Sequence, residues 1–314
     1  MTNGRHTIAV VGSGSIGLFY GGRLAASGNA VRFLLRSGYD EAAAKGIRIH
    51  SGSGDIHLPE PRIFRSVREI GPVDLVLVAV KATANAALTD LLPPLLHPET
   101  RILTLQNGLG NEEFLAGLAG ADRILGGLCF VCLTRRTPAS VDHIGHGTLS
   151  LGEFSGPPQT RTHAVADALR RSGVETHVVE SLAAERWRKL VWNVPFNGLA
   201  VARGGVTTDR ILADPSLLAE CRALMREVIR VANALGFPIE PEYAEFQIER
   251  TGPMGAYRPS TLVDWQVGGE LEIEPIWGEP LRRAREAGIP VPHLAELYET
   301  LKQKNGSRSP AAPC

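Results

Sequence analysis

Apolar runs bounded by glycine and polar turns alternate with helix-period stretches from Ile8 to Glu180. Ile8–Val11, Ala30–Leu35, Pro72–Val80, Arg101–Leu105, Ile124–Leu133, Thr148–Glu153 and Glu175–Glu180 read as strands, the continuous apolar ones as buried. Leu18–Ala26, Thr89–Leu96 and Thr160–Arg171 read as helices between them, and Gly46–Phe64 as short strands and turns. Such βα alternation predicts one doubly wound domain over residues 1–180. From Ser181 the period becomes helical throughout. Ser181–Val194, Ser216–Leu235, Tyr243–Arg250, Asp264–Val267, Pro275–Ala287 and His293–Lys304 read as helices, with strand-like runs almost gone. Gly236-Phe-Pro238 and Gly288-Ile-Pro290 are helix stops, and Asp214-Pro215-Ser216 is a start. A second, all-helical domain is therefore expected over 181–304. The tail 305–314 has no periodicity and is expected to be disordered.

The first strand runs into Gly12-Ser13-Gly14-Ser15-Ile16-Gly17 and then a helix closed by Gly28. In that context the glycines have separate uses. Gly12 permits the tight turn, Gly14 lets a pyrophosphate approach the backbone, and Gly17 allows close packing of helix on strand. Free amides at the helix N-terminus would face the phosphates. The fold class is thus α/β: an N-terminal Rossmann-like dinucleotide-binding domain followed by the helical C-terminal domain. Arg36 ends the second strand, where a carboxylate would grip the 2′-hydroxyl of NAD. An arginine suits the 2′-phosphate of NADP, so NADPH is the expected cofactor.

Composition narrows the partners. The chain has 314 residues, long enough for two cores, with 33 basic and 33 acidic side chains. That balance points to neither nucleic acid nor an anionic membrane. Apolar runs fall short of the ~18 residues of a membrane span. The N-terminus reaches its first strand without a signal pattern, so a cytoplasmic location is expected. The four cysteines, Cys129, Cys132, Cys221 and Cys314, read as reduced thiols, with Cys129 and Cys132 buried in an apolar strand. His143 and His146 lie in a stretch read as a glycine-bearing surface loop, and no histidine shares a metal-ligand spacing with carboxylates.

Candidate chemistry collects at strand ends and on one helix. Lys81 and Asn107 follow the third and fourth apolar strands at their carboxyl ends, where open α/β sheets bind ligands. Lys189, Asn193 and Asn197 fall at i, i+4 and i+8, one stripe of a helix with a cation and two neutral amides. Pro195 lies among them. It removes one helical hydrogen bond and disfavours helix at Val194, which bears on the placement of Asn197 more than on that of Lys189 or Asn193. The cleft between a dinucleotide domain and a helical one is the natural place for a site.

These residues carry a resemblance to the ketopantoate reductase family, over nearly the whole chain from Ile8 to Leu301. Its markers are VGSGSIGLFYGGRLAASG, then VAVKA with Lys81, then LTLQNGLGNEE with Asn107. RWRKLVWNVPFN follows, with Lys189, Asn193 and Asn197, and last come Pro259-Ser260 to Asp264 and Gly269 to Gly278. The resemblance implies reduction of 2-dehydropantoate to pantoate by NADPH, on the way to pantothenate. It implies Lys189 as general acid and Glu272 as its acidic partner, with Asn193, Asn197, Ser260 and Asn107 at the substrate. Gly12, Ser13, Gly14, Ser15, Ile16, Gly17, Arg36, Lys81 and Asn107 then serve the cofactor. One departure is the loop 265–271, WQVGGEL, which lacks a basic residue associated with it.

The implied chemistry is consistent with these residue types. Hydride addition to the C2 carbonyl of a 2-oxo acid leaves negative charge on oxygen, which a positioned cation must stabilise and protonate. Amides and a hydroxyl can bind the substrate carboxylate without adding charge. Ser260 also fits a helix N-cap, and Glu272, flanked by Glu270 and Glu274, also fits a solvated acidic face. Two alternatives keep the cofactor: a reductase of a different 2-oxo acid or related substrate, and a non-catalytic NADP-binding regulator. The second has no use for a Lys189–Glu272 pair. Helical second domains of such enzymes can form homodimers, though the sequence shows no seam for one.

Overall fold

The computed structural model describes residues 6–306, which divide into two compact units. The first comprises the chain to Gln106 together with Asn111–Leu182; the second comprises Asn107–Gly110 and the chain from Ala183 onward. The tail beyond Gly306, with Cys314, lies outside the described residues, whereas Asn305 and Gly306 continue the last helix.

The first unit is built from strands β1 (Thr7–Val11), β2 (Ala30–Leu34), β3 (Ile47–Ser51), β4 (Ile56–Leu58) and β5 (Arg62–Phe64). β6 (Leu75–Val78), β7 (Arg101–Thr104), β8 (Ile124–Thr137), β9 (Ser140–Glu153) and β10 (Thr176–Val178) complete the sheet. Helices α1 (Ser15–Ala26), α2 (Tyr39–Lys45), α3 (Val67–Ile70), α4 (Leu88–Leu91), α5 (Asn111–Ala119) and α6 (Thr160–Arg171) connect them. The strand order is β4-β3-β9-β8-β7-β6-β1-β2-β5, with β10 also on β9. β1 pairs in parallel with both β2 and β6, and the chain then steps outward on each side. The crevice at the carboxyl ends of β1 and β6 is therefore the topological switch point. Ile8 and Val10 bury one face of β1 in the core beneath α1 and α6. Ala9 and Val11 bury the other among Val76, Val78, Leu88 and Leu115. Burial on both faces explains the unbroken apolar runs.

Three expectations need correction here. The stretch read as a loop around His143 and His146 belongs to β9, which forms a long antiparallel hairpin with β8. Register shifts at Phe130/Val131 and Cys132/Leu133 leave Gly147 and Ile144 as the extra residues, while Gly145 pairs with Cys132. His143 is half-buried with Nδ1 2.8 Å from Ser51 Oγ. Cys129 and Cys132 are half-buried rather than buried, while Cys221 is buried and burial pushes its thiol well above the usual range. The helix expected over Thr89–Leu96 begins earlier, as a 3-10 turn over Ala82–Ala87 leading into α4. Pro93 and Pro94 stop α4 early.

The second unit is helical among its described residues: α7 (Leu182–Ala202, its first residue assigned to the first unit), α8 (Thr208–Ala213), α9 (Pro215–Ala234) and α10 (Tyr243–Thr251). α11 (Ser260–Gln266), a π-helical turn (Glu274–Gly278), α12 (Glu279–Glu286) and α13 (Pro292–Gly306) follow. Asp214 caps α9, its carboxylate accepting from the amides of Ser216 and Leu217. Buried Glu227 on α9 accepts from the amides of His293 and Leu294 at 3.1 and 2.8 Å, and so caps α13 from a distance.

Helix α7 does not stop at Val194. It continues through Pro195 for a further turn and more, to Ala202. A proline inside a helix costs about 3 kcal/mol. Here Trp187, Leu190, Val191, Val194, Phe196, Leu199 and Val201 are all buried in one core, and burying each is worth about 1.5–3 kcal/mol, enough to hold the helix together. The indole of Trp277 donates to the Val194 carbonyl at 2.9 Å. Gly198 admits that indole: a Cβ there would lie 2.9 Å from Trp277 Nε1 and 2.6 Å from Leu297 Cδ2. Gly198→Ala should therefore destabilise the protein by about 1–3 kcal/mol through overpacking, read as a lower urea midpoint. An unchanged midpoint would mean that the Trp277 contact is not tight.

Candidate active site

In the first unit the glycine turn sits at the switch point. Gly12 has φ +99°, and a Cβ on it would lie 2.3 Å from the Val80 amide nitrogen and 2.5 Å from the Ala79 carbonyl carbon. Only glycine lets the end of β1 close onto the end of β6. At Gly17 a Cβ would meet the Gly12 carbonyl oxygen at 2.1 Å, which fixes α1 against its own turn. Gly14, in contrast, has nothing within 4 Å of such a Cβ. It precedes α1 without a side-chain cap, and the first turn of the helix holds no acidic residue. The amides of Ser15, Ile16 and Gly17 are thus presented at an open, positively polarised helix end. These features fit a dinucleotide pyrophosphate. Ser13 is used differently from its neighbours: its hydroxyl donates to the Leu34 carbonyl at 2.9 Å, tying the turn to the end of β2. Arg36 is exposed just beyond that strand end. Lys81 is half-buried after β6, where it leads into the 3-10 turn and its carbonyl accepts from the Ala84 amide at 2.9 Å.

In the second unit the stripe on α7 is continuous because the helix is. Lys189 is half-buried, whereas Asn193 and Asn197 are 8% and 2% exposed. Lys189 Nζ donates to Asn107 Oδ1 at 3.0 Å. Asn107 thus meets the ammonium group instead of capping α5, which starts at Asn111. Its segment is anchored by the Leu109 amide, which donates to the Pro275 carbonyl at 2.8 Å, and by Leu109 itself, buried with the helical core. Gly108, with φ +82°, allows the approach, since a Cβ would stand 2.3 Å from that carbonyl oxygen. The sequence reading did not anticipate Pro275 as an anchor. Its only signal was a leucine between two glycines directly after a strand.

Asn197 stays on the stripe despite Pro195, and its amide oxygen has a second use. It accepts from the Thr261 amide at 3.0 Å and from Ser260 Oγ at 3.3 Å. Ser260 is therefore not the cap of α11; Asn197 satisfies that helix end from α7, and the exposed Ser260 hydroxyl is oriented by the same oxygen. Glu272 is half-buried, while Glu270 and Glu274 on either side are exposed. That difference separates Glu272 from a uniformly solvated acidic face. The second unit thus carries a cation with a fixed acceptor and two buried amides on α7, a hydroxyl bonded to one of those amides, and a half-buried carboxylate just before the π-helical turn.

A Rossmann-type nucleotide fold with a separate helical unit bearing such a set has the layout of a dinucleotide-dependent oxidoreductase. The particular family is given by comparison. Residues 8–156 match the family model described as "Ketopantoate reductase PanE/ApbA", and 181–305 match its C-terminal counterpart. The chain belongs to the ketopantoate reductase family. It is 34% identical to a 2-dehydropantoate 2-reductase of Nostoc sp., over 95% of each chain. The crystal structure of 2-dehydropantoate 2-reductase from Geobacter metallireducens GS-15 superposes with a TM-score of 0.92 at 43% identity, covering 95% of this chain and 99% of that one. D-mandelate dehydrogenase, at 22% identity and TM-score 0.87, covering 96% of this chain and 99% of its own, shares the fold.

Because the space beside Gly14 is open, Gly14→Ala should leave the unliganded melting temperature nearly unchanged, apart from about 0.5–1 kcal/mol for a poorer helix cap. It should weaken NADPH binding about tenfold or more, as a methyl group would stand where the pyrophosphate must approach. Titration of intrinsic fluorescence with NADPH measures this. Equal affinity in the variant would remove the turn from the cofactor site.

Proposed function

We propose that the chain reduces 2-dehydropantoate to pantoate with NADPH, Lys189 acting as general acid. The observation that carries this reading is the Lys189–Asn107 hydrogen bond at 3.0 Å on a helix whose next two turns present Asn193 and Asn197. When bound, NADPH supplies the hydride that the substrate carbonyl carbon accepts. The protein must stabilise charge on the carbonyl oxygen and deliver a proton to it. A half-buried ammonium oriented by an amide acceptor does both, because its proton is aimed and its charge is little screened. Glu272 is the carboxylate in the same unit suited to hold that ammonium and to bind a substrate hydroxyl. Asn193 and the Asn197 amide nitrogen supply donors for the substrate carboxylate, and Ser260 a hydroxyl beside them. The amides of residues 13–17 hold the pyrophosphate. Lys81 serves the nicotinamide end, and Arg36 the 2′-phosphate.

The reading includes a cytoplasmic enzyme of pantothenate synthesis whose partner is a small 2-oxo acid and not a nucleic acid, in keeping with 33 basic and 33 acidic residues. A homodimer belongs to the same proposal, and sedimentation of a monomer at micromolar concentration would remove it. None of the helices among the described residues is long and apolar enough to cross a membrane.

Two substitutions test the assignment. Lys189→Ala should lower kcat by about 10²–10⁴ while NADPH still binds, measured by NADPH oxidation with 2-dehydropantoate and a panel of other 2-oxo acids. Wild-type turnover would refute the general-acid role, and turnover of another acid in place of 2-dehydropantoate would move the substrate. Arg36→Ala should weaken NADPH far more than NADH; equal losses for both would show that Arg36 does not read the 2′-phosphate.

A further inference from the structure

The chain leaves the first unit after Gln106 and returns to it at Asn111, so Asn107 belongs to a four-residue excursion with two stems. One side chain bridges those stems. Gln106 Nε2 donates to Asn85 Oδ1 at 2.7 Å, and Asn85 Nδ2 donates to Asn111 Oδ1 at 3.0 Å. Thr104, at the end of β7, closes the inner end, its hydroxyl donating to Gln106 Oε1 at 3.0 Å. Each donor in this chain points the same way, from Thr104 through Gln106 and Asn85 to Asn111. Thr104, Gln106 and Asn111 are 0%, 3% and 1% exposed. Buried amides of this kind hold their geometry because breaking one bond strands a polar group, at a cost of about 1–3 kcal/mol. Asn85 itself rides on the 3-10 turn that begins directly after Lys81. A single half-buried amide therefore ties the Lys81 turn to both stems of the segment that carries Asn107.

We propose that Asn85 is a positioning residue for the reaction: it sets the stems of the Asn107–Gly110 segment and the turn after Lys81, and through Asn107 it sets the direction in which Lys189 points its proton. The inference rests on the reading of Lys189 and Asn107 as the proton-delivering pair. The sheet already holds the ends of β6 and β7 in register, the Leu105 amide donating to the Val78 carbonyl at 2.8 Å, and the amide chain joins the turn after Lys81 and the start of α5 to that frame. Displacement of a general acid by about 1 Å can cost up to about 10²-fold in rate, so a residue that never touches substrate can govern kcat.

The test uses the full chain with 2-dehydropantoate and NADPH, normalising activity to the concentration of NADPH-binding sites. Asn85→Ala should lower kcat about 10–100-fold while KM for NADPH changes less than twofold. Its effect should also disappear in an Asn107→Ala background, because both act on the same proton. Asn85→Ser, which keeps a donor and an acceptor, should retain more activity than Asn85→Ala, and it replaces that variant in the cycle if the alanine protein does not fold. A wild-type kcat in Asn85→Ala, or losses that multiply in the double variant, would overturn the positioning role. Wild-type turnover in both Asn107→Ala and Lys189→Ala would instead overturn the underlying site assignment. The two failures are thus distinguishable.

Discussion

Helix α7 must do two things that oppose each other: bury a proline-containing segment among large apolar side chains, and present polar groups along one stripe. Asn193 and Asn197 are both buried, and a buried amide without partners costs more than its bonds return. The structure resolves this at Asn197 by giving its oxygen to the start of α11. Burial around Val194 and Phe196 offsets the hydrogen bond lost at Pro195. Without that core, α7 would end near Val194 and Asn197 would leave the stripe, with Lys189 and Asn193 remaining on it. The Asn197 part of the proposed site, with the Ser260 hydroxyl it orients, depends on the helix continuing.

The same economy of partners recurs at the glycine turn. Gly12 and Gly17 close the backbone on itself, leaving Gly14 as the open member. Ser13, which by position is one more candidate phosphate ligand, secures the turn to the end of β2 through its hydroxyl. The turn is held rigid by two glycines and a serine so that the amides behind Gly14 can be aimed without a side chain. Such preorganisation reduces the ordering cost of binding a dinucleotide.

Asn107 shows how a short segment joins a unit it does not belong to in sequence. It follows β7 directly, yet Leu109 buries with the helical core and the Leu109 amide bonds to Pro275. Four residues suffice because Gly108 and Gly110 both take positive φ, at 82° and 89°. The stem residues Gln106 and Asn111 remain in the first unit, where the amide of Asn85 joins them. Family membership is supported across both units by the matched models, and the first and second matches fall on either side of residues 157–180.

The sequence alone determined the order of elements, because buried parallel strands must be continuous apolar runs and amphipathic helices must repeat near 3.6 residues. It also determined the glycine turn, where close approach at Gly12 and Gly17 admits no other residue, and the i, i+4, i+8 spacing of Lys189, Asn193 and Asn197. It misjudged features that local propensity does not control. Pro195 reads as a helix end, and only tertiary burial overrides it. The glycines around His146 read as a loop, and only pairing with β8 makes that stretch a strand. Ser260 reads either as a substrate residue or as a cap, and Asn197, 63 residues earlier, takes the cap's part. The pairing of Lys189 with Asn107 spans 82 residues, and the amide chain through Asn85 joins residues from three elements. Hydrogen-bond partners at such separations are chosen by packing, since any exposed amide can satisfy itself with water until burial leaves it one protein group to bond.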